Sequence, residues 1–308
     1  MNNIIEQDDN NAIKGTTGSR GSKDLLDKFY TKTEIVKQCL QYINFEEYDC
    51  IIEPSAGSGA FLYEIPRSKN YEIIAYDLKP EPNNNHNNKK NNTIIQQNDW
   101  LKLDKQIFNN YNNILVIGNP PFGKMGSLAQ KFIKESTSFA HTVAFILPKG
   151  FKKESFKNKI DKHFWLTDEI VLPENSFTLN DNDYSVPCVF QKWVKKDSLR
   201  KDKQYYSTSA LFEFTTKEKA DLRVQRVGGK AGTASINTNA SEQSNYFLKN
   251  TSNFTTTELV EKINNTSFPT INDTTGPRSL SKKEFIYYFE EKLGIKNHKN
   301  EQKPQLFW

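Results

Sequence analysis

The chain is expected to be an α/β protein built on a mostly parallel, doubly wound sheet, and three observations lead there. Short apolar runs that read as buried strands alternate with stretches of helical spacing from residue 50 onward. Four successive runs end on Glu53-Pro54, Asp77, Asp99 or Gly118-Asn119, the punctuation of strand ends. With 308 residues, 36% hydrophobic and 12% aromatic, the chain can bury a sizeable core.

Residues 1–22 carry Asn, Asp, Gly and Ser without periodicity and read as a disordered leader. From Asp24, apolar positions fall at helical spacing: Leu25, Leu26, Phe29, then Ile35, Val36, Cys39, Leu40 and Ile43. Residues 50–52 form a short strand, residues 55–59 a glycine-rich turn, and 60–65 a helix start stopped by Pro66. A strand over 71–78 carries Asp77 near its end. The segment 81–92, seven of whose twelve residues are Asn, reads as a surface loop before a strand over 93–97. The apolar run 114–117 leads into Gly118-Asn119-Pro120-Pro121-Phe122, and a helix follows with Leu128, Phe132, Ile133 and Phe139 on its apolar side. After a strand over 142–147, residues 151–164 read as a basic amphipathic helix. No helical pattern separates 170–172 from 186–194, so these last strands are expected to pair antiparallel at one edge. The main domain is thus placed at 23–198.

Residues 199–308 read as a small basic subdomain. It holds strands near 212–214 and 222–227, a glycine turn at 228–232, and two helices over 255–264 and 281–293. Ser281 with Glu284 forms a capping box for the second helix, and Gly294 ends it. The terminal Leu306-Phe307-Trp308 is an apolar tip that docks either on the body or on a partner.

Composition limits the function classes. No run approaches the roughly 20 apolar residues of a membrane span, and the first residues lack the pattern of a secretory signal. Three cysteines (Cys39, Cys50, Cys188) make no disulfide framework and no zinc spacing, so an intracellular, soluble, metal-free protein is expected, in cytoplasm or nucleus alike. The net charge is 42 minus 37, or +5. Six lysines between 149 and 162 and six cations between 192 and 203 suit a nucleic-acid partner, with Lys149, Lys152, Lys153, Lys195 and Lys196 as candidate phosphate contacts. Arg223, Arg226 and Lys230 add a basic, glycine-rich turn.

In open α/β sheets, ligands sit at the carboxyl ends of strands. Glu53, Asp77, Asp99 and Asn119 follow one another at intervals of 24, 22 and 20 residues, each at the end of a successive strand, and so would line one cleft. Gly57 and Gly59 let a ligand approach the backbone, yet Leu62 leaves the dinucleotide fingerprint incomplete and no P-loop is present. Asp77 is placed to accept from both hydroxyls of a ribose. Asp99 is placed to accept from an exocyclic adenine amine, with Trp100 as an apolar wall. Two prolines after a buried strand remove N–H donors, so the Asn119 side-chain oxygen and the Pro120 carbonyl can converge on a planar amine. Phe122 would offer a stacking face.

The set EPSAGSGAF, YDL, NDW and NPPF resembles the motifs of S-adenosylmethionine-dependent amino-methyltransferases acting on adenine N6. Upstream, Asp27-Lys28-Phe29-Tyr30-Thr31 resembles the FYT motif of DNA enzymes of that family. The resemblance spans about residues 24 to 195 and implies the class I methyltransferase fold, seven strands with the last antiparallel. It implies that Phe29, Tyr30, Thr31, Glu53, Gly57 and Gly59 surround the methionine part of the cofactor. It further implies that Asp77 takes its ribose, Asp99 and Trp100 its adenine, and residues 119–122 a base flipped out of the duplex. Phe122 replaces the Tyr common among the DNA enzymes, and NPPF is frequent among RNA-adenine enzymes, so RNA stands as the alternative to DNA. A glutamine methyltransferase and a non-catalytic recognition subunit are lesser readings. Tyr184, between the edge strands, is a candidate contact for the flipped base, with an ordinary edge loop as the preferred reading. The 199–308 segment is small for reading several base pairs alone, which points to a short site, a partner subunit, or an RNA read by shape.

Overall fold

The computed structural model describes residues 29–80, 94–203 and 205–295. The leader, the Asn-rich segment 81–92, the Leu25-Leu26 start of the first helix and the terminal Leu306-Phe307-Trp308 lie outside the described residues. The order of elements is β1 (Tyr30–Thr31), α1 (Thr33–Leu40), β2 (Cys50–Glu53), α2 (Ala60–Glu64), β3 (Glu72–Asp77), β4 (Ile95–Gln97), β5 (Ile114–Gly118), α3 (Ser127–Thr137) and β6 (Thr142–Pro148). A single turn, α4 (Glu154–Lys157), precedes β7 (Phe164–Val171), β8 (Phe177–Leu179), β9 (Asn182–Tyr184) and β10 (Cys188–Lys195).

The central sheet has seven strands in the order β4-β3-β2-β5-β6-β10-β7. Its pairs from β4 to β6 are parallel, and β10 runs antiparallel to both β6 and β7. The apolar runs become strands because they are covered on both faces: every residue of β2, β5 and β6 is buried. Chain order reverses between β2 and β5, which opens a crevice at their carboxyl ends. The edge pairing of the last two strands agrees with expectation. All three cysteines are free and buried. No helix among the described residues is long and apolar enough to cross a membrane.

Two expected helices are corrected. Phe29 does not belong to the first helix, since Tyr30 and Thr31 pair with Thr178 and Phe177 and the helix begins at Thr33. The basic helix expected over 151–164 shrinks to the single turn α4. Phe151 lies in a 3-10 turn, Lys153 is extended (φ −72°, ψ 140°), and Phe164 already starts a strand. The apolar spacing there instead serves a knot in which the rings of Phe151 and Phe156 lie 4.6 Å apart.

After Arg200 a second core forms around Phe212, Leu222, Leu248, Leu259, Phe285 and Phe289. It is built by the sheet β11-β14-β12-β13 (Phe212–Phe214, Asn245–Asn250, Leu222–Gln225, Ala234–Ser235) with helices α5 (Thr256–Asn264) and α6 (Lys282–Lys292). Both helices begin in capping boxes, Thr255 with Glu258 and Ser281 with Glu284. Lys153 ties this unit to the central sheet's body, donating to the Ser279 carbonyl at 3.0 Å and to Glu284 at 3.3 Å.

Candidate active site

A cavity of about 510 Å³ opens at the carboxyl ends of β2, β3, β4 and β5. It is lined by Glu53, Asp77, Asp99, Trp100 and Asn119 together with Phe29, Tyr30, Thr31 and the turn at 54–58. The four evenly spaced strand ends therefore do meet in one cleft.

The turn after β2 depends on left-handed backbone at Gly57 (φ 52°) and Gly59 (φ 85°), where a side chain would be strained. Gly57 N–H donates to Asp77 Oδ2 at 2.8 Å, and Lys79 N–H donates to Oδ1 at 2.8 Å, so the carboxylate is fixed while keeping free lone pairs. Asp99 accepts from Leu101 N–H at 3.1 Å and pairs with Lys102 at 3.3 Å. Trp100 is buried in a cluster with Tyr76, Phe108 and Phe139. Lys105 braces this wall, with Nζ 4.5 Å from the indole centroid.

Three buried polar atoms of the cavity wall have no partner: Glu53 Oε2, Trp100 Nε1 and Asn119 Oδ1. Unsatisfied buried groups are rare in folded proteins, and half of the six among the described residues gather around this one cavity, an arrangement that suits a polar ligand. Burial pushes the Glu53 carboxyl well above the usual carboxylate range. Asn119 Nδ2 donates to Thr31 Oγ1 at 3.2 Å, which leaves Oδ1 as the open acceptor. Ser55 Oγ donates to the Asn119 carbonyl at 3.3 Å, binding the first strand end to the fourth.

Sequence reasoning missed what holds the FYT segment. A hairpin, β8–β9, turns through Asn180 (φ 50°) and Asp181 (φ 62°) and adds β1 as a third strand. Lys32 pairs with Asp183 at 2.7 Å, and Tyr184 lies 5.7 Å from Phe29. Two left-handed Asx residues in tandem are the type I′ signal that could have revealed it. Leu128 and Phe132 of α3 also line the cavity and were read only as core.

Other expected residues fall elsewhere. Phe122 does not line the cavity; its ring is buried edge-on against Phe29 at 5.3 Å. Gly59 shapes the turn without lining it. The basic runs are largely consumed by the fold. Lys152 pairs with Glu169 and Asp273, Lys153 with Glu284, Lys157 with Glu169 and Lys162 with Asp202. Lys195 and Lys196 are exposed but end the antiparallel strand, beside the start of β6, at the end of the sheet away from the cavity. Arg223 is bonded to Asn237 and Asn245, and Arg226 to Gln243, which leaves Lys149 and Lys230 less engaged.

The strand order, with one antiparallel strand inserted beside the edge, is that of class I methyltransferases, whose expected cofactor is S-adenosylmethionine. The residues fit that group: an acidic pair, a glycine turn and unpartnered buried acceptors surround a cavity of suitable size. Residues 72–205 match the EDM2 methyltransferase-like domain family. The protein ENHANCED DOWNY MILDEW 2 of Arabidopsis thaliana is 25% identical over 196 residues, 58% of this chain but 14% of that protein. PH1948 of Pyrococcus horikoshii, assigned as an RNA methyltransferase, superposes with a TM-score of 0.44 at 17% identity over 58% of this chain and 92% of its own. A type I restriction-modification methyltransferase subunit of Streptococcus thermophilus gives 0.38 at 16% identity, over 57% and 46%.

Proposed function

We propose that the protein transfers a methyl group from S-adenosylmethionine to the exocyclic N6 amine of adenine in DNA. The observation that carries this reading is Asn119 Oδ1, buried, unpartnered and oriented by Thr31, at a strand end followed by two prolines. Such an oxygen, with the Pro120 carbonyl, accepts from the two protons of a planar amine and holds its nitrogen out of conjugation. Glu53 and the residues 29–31 surround the methionine part of the cofactor, and Gly57 and Gly59 give the turn its close approach. Asp77 accepts from the ribose, while Asp99 and Trp100 hold the adenine. The cofactor supplies an electrophilic methyl group. The chain's own contribution is orientation and fixed dipoles, so no strong general base is required. Phe122 acts through Phe29, setting the ring that faces the cavity.

RNA is the second reading, favoured by Phe in place of Tyr at 122. The segment after Arg200 is proposed as a target-recognition unit, working alone on a short site or with a partner subunit. Incubation with methyl-labelled cofactor and duplex DNA, single-stranded DNA or total RNA separates these readings. Label at adenine N6 of DNA is the expected result. Label on RNA alone would transfer the assignment to RNA, and cofactor binding without label on any substrate would point to a recognition subunit.

A further inference from the structure

The loop after the Asn-Pro-Pro-Phe motif, Gly123-Lys124-Met125-Gly126, places one apolar side chain where solvent should discourage it. Met125 is 85% exposed, more than any other exposed large hydrophobic residue among those described. Its backbone is left-handed (φ 54°), and it stands between two glycines of positive φ, Gly123 (φ 67°) and Gly126 (φ 73°). A non-glycine residue holds such a conformation only where the surroundings impose it.

Here they do. A Cβ on Gly123 would lie 2.8 Å from Leu128 Cβ, and one on Gly126 would lie 2.8 Å from Phe151 Cε2. Leu128 N–H and Gly126 N–H donate to the Phe122 and Gly123 carbonyls at 3.1 Å each. Both ends of the loop are therefore pressed onto the body, and the Met side chain between them projects away from it. Pro121 and Leu128, which bracket the loop, both line the cavity, so the loop leaves the cavity wall beside Asn119 and Pro120 and returns to it. Exposed Lys124 adjoins Met125.

We propose that Met125 is a wedge that enters the base stack of a duplex and occupies the place vacated by the flipped adenine. This rests on the nucleic-acid reading above. Apolar wedges of this type, Met among them, unstack a base step so that the altered duplex fits the protein. Met suits the task because it is unbranched and adapts to an irregular gap. Lys124 then meets the phosphate beside the opened step.

The test compares Met125→Gly and Met125→Leu with the unaltered protein on one target sequence in three forms: paired duplex, single strand, and duplex with an abasic site opposite the adenine. Glycine tolerates the left-handed backbone, so Met125→Gly should melt no lower than the unaltered protein. The expected result is a loss of about tenfold or more in transfer to the paired duplex, set by the unstacking a wedge supports. Transfer to the single strand and to the abasic duplex should stay within about twofold of the unaltered protein, and Met125→Leu should keep most of the duplex rate. An equal loss on all three forms, or no loss on the paired duplex, would overturn the wedge. Absence of transfer by the unaltered protein to any of the three forms would instead remove the reading on which it rests.

Discussion

The cavity wall and most lysines of the first basic run differ in one respect: around the cavity polar groups wait for partners, whereas those lysines have found them. Glu53, Trp100 and Asn119 each keep a buried atom unsatisfied, while Lys152, Lys153, Lys157 and Lys162 all face carboxylates. Both regions stand out in the sequence as clusters of chemically active side chains. What separates a site from a structural network is whether the fold itself completes the pairing. Unpaired buried groups are retained at a cost in stability, so a cluster of them around one cavity points to use.

The largest effect that would sharpen this contrast is on stability. Replacing Lys153 by Ala leaves Glu284 buried without its cation and should lower unfolding stability by about 3 kcal/mol, read by urea denaturation. An unchanged midpoint would mean that Lys153 is available for phosphate after all.

Asp77→Ala removes the fixed carboxylate together with its bonds to the glycine turn, and cofactor affinity should fall about a hundredfold by calorimetry. A variant that binds within threefold, on the order of 0.7 kcal/mol, would break the assignment of this strand end.

Glu53→Gln has a smaller, two-sided effect. Because burial raises the folded pKa, the neutral carboxyl contributes stability that is complete below the unfolded value and is lost as pH rises through the folded one. The substitution should therefore stabilise the free protein by roughly 1 kcal/mol at alkaline pH and change nothing in acid. It should weaken cofactor binding at the same time, since the cofactor's ammonium favours the ionised carboxylate. In the unaltered protein, affinity should rise with pH over that window as binding expels a proton, which calorimetry in two buffers detects.

The smallest effect is expected from Lys195→Ala with Lys196→Ala. These side chains end the antiparallel strand away from the cavity, and nucleic-acid affinity should fall less than about twofold in filter binding. A steep loss, with a flatter salt dependence, would restore the far end of the sheet as a binding surface.

The parts legible in the sequence share a cause. Strands β2, β5 and β6 are buried on both faces, so their apolar runs are continuous, and the residues that end them stand out by contrast. Glu53 and Asn119 stand out for that reason, whereas Asp77 and Asp99 stand at the ends of strands that are only partly buried and are placed by their regular spacing. The β8–β9 hairpin was obscure because β9 is fully exposed and carries no apolar alternation, and its partner β1 is more than a hundred residues away. Residues 151–164 misled in the opposite way. Their apolar positions match a helix, but Gly150, the extended Lys153 and the pairing of Phe164 with Lys195 outweigh that local preference. Charge was the least legible property, because a sequence gives the number of lysines in a run and not the carboxylates that reach them from Glu169, Asp202, Asp273 and Glu284.

The central claim is that Asn119 Oδ1 is left open for a nucleobase amine. Transfer of labelled methyl by Asn119→Ala, measured beside the unaltered protein with cofactor affinity followed in parallel, tests it most directly. The account predicts a fall in rate of about a hundredfold or more with cofactor affinity nearly unchanged. A variant that transfers methyl at the unaltered rate would contradict it.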